Sequence, residues 1–327
     1  MKPWEHDCRD DCHTHVSDFQ SLSRDLSLIK IFVNIDTVEL CEVFRGTNIG
    51  ILKLDTAECA SLASKSMHTL KKFTKLFLWG TYIGRCTLQL PATIHVISLQ
   101  EVESSSEWLC SLLIELSSLE HPVECELWNV VLQQCADESI SYSQSSMSEL
   151  RSEILSRDMS EIAILVENGS VELFEIFRST NIGILTLKTA ECASLTSRIV
   201  FTLNKLAKLC LFGTYRERCT LHLPATLQCI SMQEVECSAE WLCSLLVALW
   251  TLDHPVECEL WNVVLQQCAC ELGDNSQARV SDFHSEILSI DFTQTTILLT
   301  NGSVELFKLF RGTNIGILTV NTADMYH

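Results

Sequence analysis

The sequence predicts an α/β solenoid, a fold in which parallel strands alternate with helices along the chain. A block of 133 residues repeats, because closely similar stretches begin at Val38, Val171 and Val304. Five short runs in each block alternate apolar and polar residues, as strands with one buried face do. Leu-rich segments with helical periodicity lie between these runs. Scarce Gly (11) and Pro (5) argue against an all-β protein built from tight turns.

The repeat also predicts the domain organisation. Fifteen residues, "HPVECELWNVVLQQC", stand at 121–135 and return unchanged at 254–268. We interpret residues 1–16 as a polar N-terminal tail or cap and residues 17–327 as the solenoid. The solenoid comprises a partial copy (17–37), a first copy (38–170), a second copy (171–303) and a partial copy (304–327).

The strand predictions come from apolar residues that stand two positions apart. In the first copy the runs are 50–54, 74–79, 95–100, 124–128 and 162–166. Equivalent runs in the other copies predict about twelve strands, starting near Ile29–Val33 and ending near Ile317–Val320. The predicted inward pairs are Leu52/Leu54, Leu76/Leu78, Ile97/Leu99, Cys125/Leu127 and Ile162/Ile164, with Leu185 and Leu318 as counterparts of Leu52.

The clearest helix is "SSSEWLCSLLIELSSLEHP", whose leucines recur on one face from Leu109 to Leu119. Ser104 and Glu107 have the spacing of a capping box, and Pro122 ends the segment. The second copy has Cys237 in place of the capping serine. "TAECASLASKSMHTLKKF" and "SVELFEIFRST" predict shorter helices, "RCTLQLPAT" an irregular extended segment, and the Ser-rich "CADESISYSQSSMSEL" a loop.

Charge and composition exclude several classes of partner. The formal net charge is −19, and the 23 basic residues form no cluster of the kind that phosphate backbones require, so nucleic acid is excluded. The apolar stretch at 241–252 is too short to span a bilayer, so no membrane partner is predicted. The polar N-terminus lacks a secretory h-region, which predicts a cytoplasmic protein whose 17 cysteines are mostly reduced.

Several stretches resemble leucine-rich repeats. They are "LKLDTAECASL", "LFLWGTYIGRC" and "CELWNVVLQQC", the last preceded by its Leu-rich helix, and the strand spacing averages about 27 residues. The resemblance is to the α/β type found in ribonuclease inhibitor and in the sensor arrays of NOD-like receptors. It implies a horseshoe of about twelve units with parallel strands on the concave face.

The chain departs from this family at one position of the pattern. The family places Asn or Cys three residues after the second strand leucine, whereas this sequence has Ala57, Thr81, Val102 and Val130 there. We therefore expect the hydrogen-bonding ladder that the asparagines supply to be missing.

The candidate binding residues are the side chains between and after the inward pairs, which would face the concave surface. These outward positions differ between copies, as Lys53 and Thr186 do, which fits either neutral drift or diversification of a binding face. Exposed aromatic side chains in a polar surround are typical of protein interfaces. The predicted contact residues are Phe77, Trp79, Glu126, Trp128, Phe212, Glu259 and Trp261.

The sequence gives little support for a catalytic site, a metal site or a glycosylation site. His121 and Cys125 could suggest a cysteine nucleophile, but Cys125 occupies a leucine slot and should point inward, so no catalytic residue is predicted. The N-terminal "HDCRDDCHTH" contains zinc-type ligands at a spacing that matches no motif, so neither a metal nor a cofactor is predicted. "NGS" at Asn168 and Asn301 fits a glycosylation sequon, and we interpret it as a turn.

These observations predict a non-catalytic solenoid that binds neutral or basic proteins. The resemblance implies the ligand-sensing part of an innate-immune receptor. The alternative is an enzyme inhibitor similar to ribonuclease inhibitor, which would clamp a basic enzyme with an acidic concave face.

Overall fold

A computed structural model describes residues 30–33, 49–67, 69–133, 141–216, 218–266, 288, 291–301 and 304–321. The described residues divide into two compact units. The first is drawn from Met1–Thr81 and Thr87–Ser98, and the second from Tyr82–Cys86 and Leu99–His327. The division lies inside the first copy of the repeat. The predicted tail 1–16, including His6, Cys8, Cys12, His13 and His15, lies outside the described residues.

The first unit is a small parallel sheet with one helix. It contains β1 (Lys30–Val33), β2 (Ile51–Leu54), α1 (Ala57–Met67), most of β3 (Lys75–Tyr82) and the start of β4 (Val96–Ser105). Leu52 lies between Ile31 and Leu76 in register. The inward leucines of β2 and β3 are at most 4% exposed, which confirms their predicted direction.

The second unit repeats this arrangement at larger scale. After the rest of β4 come α2 (Ser106–Ser117), β5 (Val123–Trp128), β6 (Val131–Gln133), α3 (Ser141–Ser156), β7 (Met159–Glu167), α4 (Val171–Phe177), β8 (Ile182–Leu187) and α5 (Ala190–Thr196). The second copy continues with a 3-10 turn (Val200–Thr202), β9 (Lys208–Tyr215), β10 (Cys229–Ser238), α6 (Ala239–Trp250), β11 (Glu257–Trp261), β12 (Val264–Gln266), β13 (Thr296–Thr300), α7 (Val304–Phe310) and β14 (Ile317–Asn321).

The strands from β5 to β14 pair in parallel, in the order β5, β7, β8, β9, β10, β11, β13, β14. The burial pattern of β5 alternates strictly, so Val123, Cys125 and Leu127 point inward while the residues between them are partly exposed. Burying a leucine contributes roughly 1.5–3 kcal/mol, so each inward pair is a strong constraint on register. The predicted α/β class with parallel strands is therefore confirmed within each unit.

The Ser-rich segment predicted as a loop is instead helical from Ser141 onward, in α3. Leu150 and Ile154 stand four residues apart and are buried, and α3 packs against α2. Two apolar residues on one face suffice to dock a helix whose other residues are polar. The prediction of a loop over 135–150 was therefore wrong for 141–150.

The cap of α2 lies one residue later than predicted. The Ser105 hydroxyl accepts a hydrogen bond from the Trp108 backbone N–H at 3.2 Å. In the second copy Ser238 caps α6 in the same way, accepting from Trp241 at 3.0 Å. Both copies thus keep a serine cap, and the predicted loss of the cap at Cys237 was wrong.

The chain after β5 forms a second short strand that the sequence did not predict. Leu132 lies in this strand, β6, which pairs with β4. A left-handed residue, Asn129 (φ 53°), separates β5 from β6 and redirects the chain. The second copy repeats this feature, because Asn262 (φ 53°) precedes β12, which pairs with β10.

Asparagines mark the ends of several strands. Asn168 and Asn301 have φ of 56° and 53°, so the turn expected at the two "NGS" stretches is confirmed. The Asn168 side-chain amide donates to the Asn129 Oδ1 at 2.7 Å across two adjacent strand ends. An asparagine contact is thus present here, and Asn129 stands two residues after the inward Leu127 rather than three.

In the last described strand, β14, residues that were predicted to be buried are exposed. All five residues of β14 are exposed, and Leu318 is 43% exposed, compared with 2% for its counterpart Leu185. Within the described ranges β14 pairs only with β13, whereas β8 has strands on both sides. None of the helices in those ranges is both long and apolar enough to cross a bilayer.

Candidate functional site

The predicted contact residues lie on the outer sheet face, which we define as the partly exposed side chains that alternate with the buried inward pairs. In the first unit these include Lys53, Phe77 and Trp79. In the second unit they include Glu126, Trp128, Lys188, Lys208, Phe212, Glu259 and Trp261. Within each unit, strand pleating places these side chains on one face of the strands because successive side chains point to opposite sides.

In the first unit two predicted aromatic residues form one cluster. The rings of Phe77 and Trp79 stack with centroids 6.0 Å apart and an interplanar angle of 27°. The Lys53 Nζ lies 3.5 Å from the centroid of the Trp79 ring. A cation over an indole contributes about 0.5–1 kcal/mol at an exposed site, so this contact holds the ring in place.

The second unit contains a similar lysine–aromatic contact. The Lys188 Nζ lies 3.6 Å from the centroid of the Phe212 ring. Phe212 is the counterpart of Trp79, but the counterpart of Lys53 is Thr186, and Lys188 corresponds to Asp55. The lysine has therefore moved two positions along its strand, yet the contact with the aromatic ring is present in both copies.

In the first Glu–Trp pair, the two side chains form a hydrogen bond with each other. The Trp128 indole N–H donates to the Glu126 Oε2 at 3.2 Å, and both side chains are half-buried. In the pairing of β5 with β7, Glu126 lies opposite Leu165 and Trp128 lies opposite Glu167. The polar edge of the indole is therefore satisfied within the protein.

The second Glu–Trp pair has a different environment although its local sequence is identical. The Lys208 Nζ donates to the Glu259 Oε2 at 2.8 Å, reaching from β9 to β11. Burial alone would raise the pKa of the Glu259 carboxyl, but hydrogen bonds from Lys208 and Ser231 hold that pKa below its ordinary value. Glu259 therefore stays charged at neutral pH.

Two further side chains, Ser231 and Trp261, lie close to the Lys208–Glu259 ion pair in the sheet. Ser231, on the strand between the two, is only 1% exposed, although its outward position predicted exposure. Because Glu259 binds Lys208, the Trp261 indole is left without such a bond among the described residues and is 53% exposed. Lys208 was missed in the sequence, although it stands on the same face as Phe212, four residues earlier.

A further repeated polar contact was also missed. The Gln133 amide donates to the Glu103 Oε2 at 3.0 Å, and Gln266 donates to Glu236 at 2.9 Å. These contacts join β6 to β4 and β12 to β10. They could not be anticipated because β6 and β12 were not predicted as strands.

The repeated cysteines are buried, as expected. Cys125 and Cys258 are 0% exposed. Burial raises the pKa of the Cys125 thiol to about 12, so it is protonated at neutral pH and out of contact with solvent. Among the described residues no three His, Cys, Asp or Glu side chains are grouped to hold a metal ion.

Comparison with models of known protein families finds no match. Comparison with curated protein sequences also finds no match.

Proposed function

We propose that this chain is a non-catalytic protein-binding solenoid of the leucine-rich-repeat type that binds partners through its outer sheet face. The observation that carries the proposal is the set of partly exposed aromatic residues on that face. Trp261 is 53% exposed beside a charged pair, and Phe212 lies under Lys188. Aromatic residues in a polar surround are typical energetic centres of protein interfaces.

The charges on the face favour a mixed polar partner. In the second unit Lys188 and Lys208 lie among the glutamates, and Lys208 pairs with Glu259. The alternative, an inhibitor that clamps a basic enzyme with a uniformly acidic face, is supported by the net charge of −19 but not by these lysines. A role as the sensing part of an innate-immune receptor rests on the family resemblance alone.

The test uses the full chain with Trp128→Ala and Trp261→Ala combined. Both side chains are partly exposed, so we expect the far-UV circular dichroism and the unfolding midpoint to stay close to wild type. Immobilised wild-type chain should retain a discrete set of proteins from a cell extract, and the double variant should lose them. Removing hot-spot tryptophans costs about 2 kcal/mol or more each, or at least about 30-fold in affinity.

Leu155→Ala serves as the matched control, because Leu155 is 37% exposed on α3, away from the outer sheet face. Retention of the same proteins by the double variant, or no discrete set with the wild type, would contradict the proposal. Salt separates the two functions, since binding to a basic enzyme should weaken steeply between 50 and 500 mM salt, on the order of the screening expected for exposed charges. Binding anchored by aromatic residues should change little.

A further inference from the structure

The last described strand of the second unit, β14, has an open edge. Among the described strands it pairs only with β13, and all five of its residues are exposed. Ile317, Leu318 and Val320 are 57%, 43% and 42% exposed. Proteins usually protect such an edge with a lysine, a proline or a bulge, and β14 has none of these. The edge is therefore free to pair with another strand.

The counterpart of β14 in the second copy has a strand on this edge. β8 stands 133 residues earlier, and β9 pairs with it in parallel. Leu185 and Leu187 correspond to Leu318 and Val320, and they are at most 2% exposed. In the first unit β3 pairs with β2 in the same way. What β14 lacks, compared with its two counterparts, is the covering strand.

The two covering strands have almost the same sequence. β3 is KLFLWGTY and β9 is KLCLFGTY. In the second copy Leu209 lies opposite Leu185, and Leu211 lies opposite Leu187. The lysine that precedes these leucines, Lys208, lies opposite an isoleucine, and the first copy has the same register. The chain itself thus shows which pattern fits this edge: lysine, leucine, any residue, leucine.

A backbone acceptor at the start of the edge belongs to the same pattern. The Gly183 carbonyl accepts a hydrogen bond from the Ala207 backbone N–H at 2.8 Å, and the Gly50 carbonyl accepts one from the Thr74 backbone N–H at 2.9 Å. Gly316 is the counterpart of both glycines, and in the described part of the chain no backbone N–H donates to its carbonyl. An added strand would supply that donor.

The helix that precedes β14 is already packed. α7 corresponds to α4, and its Leu306, Leu309 and Phe310 are at most 6% exposed. The apolar layer on this side of the sheet therefore forms without the added strand. Binding then requires ordering of the incoming segment more than of the protein, which lowers its entropic cost.

We propose that the open edge of β14 binds an extended segment of a partner protein, which adds a parallel strand with the pattern lysine, leucine, any residue, leucine. The lysine lies opposite Ile317, and the two leucines lie opposite Leu318 and Val320. Main-chain hydrogen bonds, starting at the Gly316 carbonyl, supply affinity, and the leucines supply specificity.

A segment fits this edge better than a second folded copy does. β3 and β9 of another copy are not available, because each has strands on both sides. Pairing of two β14 edges would use five residues from each chain, whereas a stable dimer interface uses roughly 20–30 on each side. The edge therefore matches a peptide-sized partner.

The probe is a fluorescein-labelled synthetic peptide with the sequence of residues 205–214, KLAKLCLFGT, kept under reducing conditions. Fluorescence polarisation with the full-length chain should show saturable binding. Two altered peptides test how it binds. One carries Leu209→Asn and Leu211→Asn, and the other is N-methylated at the Ala207 amide. Each should bind about tenfold or more weakly, because it loses the apolar contacts or the hydrogen bond to Gly316.

Protein variants and hydrogen exchange locate the bound peptide. Leu318→Asp combined with Val320→Asp should weaken binding about 30-fold or more, because charge replaces the apolar contacts. Ile83→Asp is the matched control, since Ile83 is 68% exposed and follows β3. It should bind like the wild type, as should Trp261→Ala, which separates this edge from the outer sheet face. In the wild-type chain, saturating peptide should slow amide exchange in residues 317–321.

Four results would each overturn the proposal. They are absence of peptide binding, equal binding of the two altered peptides, exchange protection only outside residues 316–321, and a concentration-dependent dimer that Leu318→Asp with Val320→Asp abolishes. The last result would show that a second copy covers the edge.

Discussion

Gly183 should be among the least replaceable residues of the second unit. It stands in β8, and a Cβ added there would lie 1.9 Å from the Ser160 carbonyl oxygen and 2.7 Å from its carbon. Ordinary van der Waals contact begins near 3.4 Å, so β7 and β8 would have to separate by about 1.5 Å. That is a large part of the roughly 4.8 Å spacing between paired strands.

Gly183→Ala therefore has a calculable cost. Overpacking a close contact costs about 1–3 kcal/mol, and losing one or two strand hydrogen bonds adds about 1 kcal/mol each. We expect a loss of roughly 3 kcal/mol in the free energy of unfolding, measured by urea titration with far-UV circular dichroism. Gly84→Ala is the control, because no atom lies within 4 Å of its added Cβ, and only its φ of +77° opposes the change.

The control should cost about 1–2 kcal/mol, the usual penalty for a left-handed alanine. Equal losses for the two variants, or a loss below 1 kcal/mol at Gly183, would refute the close-approach explanation.

Three further predictions concern individual side chains. Ser105→Ala should lower the free energy of unfolding by about 1 kcal/mol, because it removes a helix cap. Ser104→Ala should be neutral or stabilising, since the Ser104 hydroxyl is buried without a partner among the described residues. Equal urea midpoints for the two variants would contradict this prediction. Cys125 should resist iodoacetamide at pH 8 until urea unfolds the chain, as read by mass spectrometry of the labelled peptide, because burial raises its pKa to about 12. The hydrogen bond from Lys205 lowers the pKa of Asp158 to about 2. Its stabilising contribution should be complete above the ordinary pKa of 3.8 and lost as the pH falls toward 2, and Lys205→Ala should raise the Asp158 pKa in a carboxyl NMR titration.

Much of the fold follows from local alternation. The inward pairs Leu76/Leu78 and Cys125/Leu127 are buried as predicted, because a strand with one buried face leaves a period of two in the sequence. The Leu-rich helix before β5 was equally predictable, since its leucines recur on one face with the helical period. In contrast, α3 was not predicted because its first half is rich in serine. Only its packing against α2 shows that Leu150 and Ile154 are sufficient to dock it.

The candidate site was only partly predictable. Alternation placed Glu259 and Trp261 on the outer sheet face, and the structure agrees. Their partners could not be inferred, because Lys208 is 51 residues away from Glu259 in sequence and belongs to another strand. Leu318 shows the same limit, since its pattern matches Leu185 while its exposure depends on whether a further strand lies beside it.

The repeated stretch "HPVECELWNVVLQQC" separates the two kinds of information. The sequence by itself determined which of its side chains point inward, because strand pleating is a property of neighbouring residues. Only the tertiary structure decided that Glu126 binds Trp128 while Glu259 binds Lys208, because hydrogen bonding depends on which side chains the adjoining strands bring within reach. The same fifteen residues therefore present one half-buried tryptophan, Trp128, and one exposed tryptophan, Trp261.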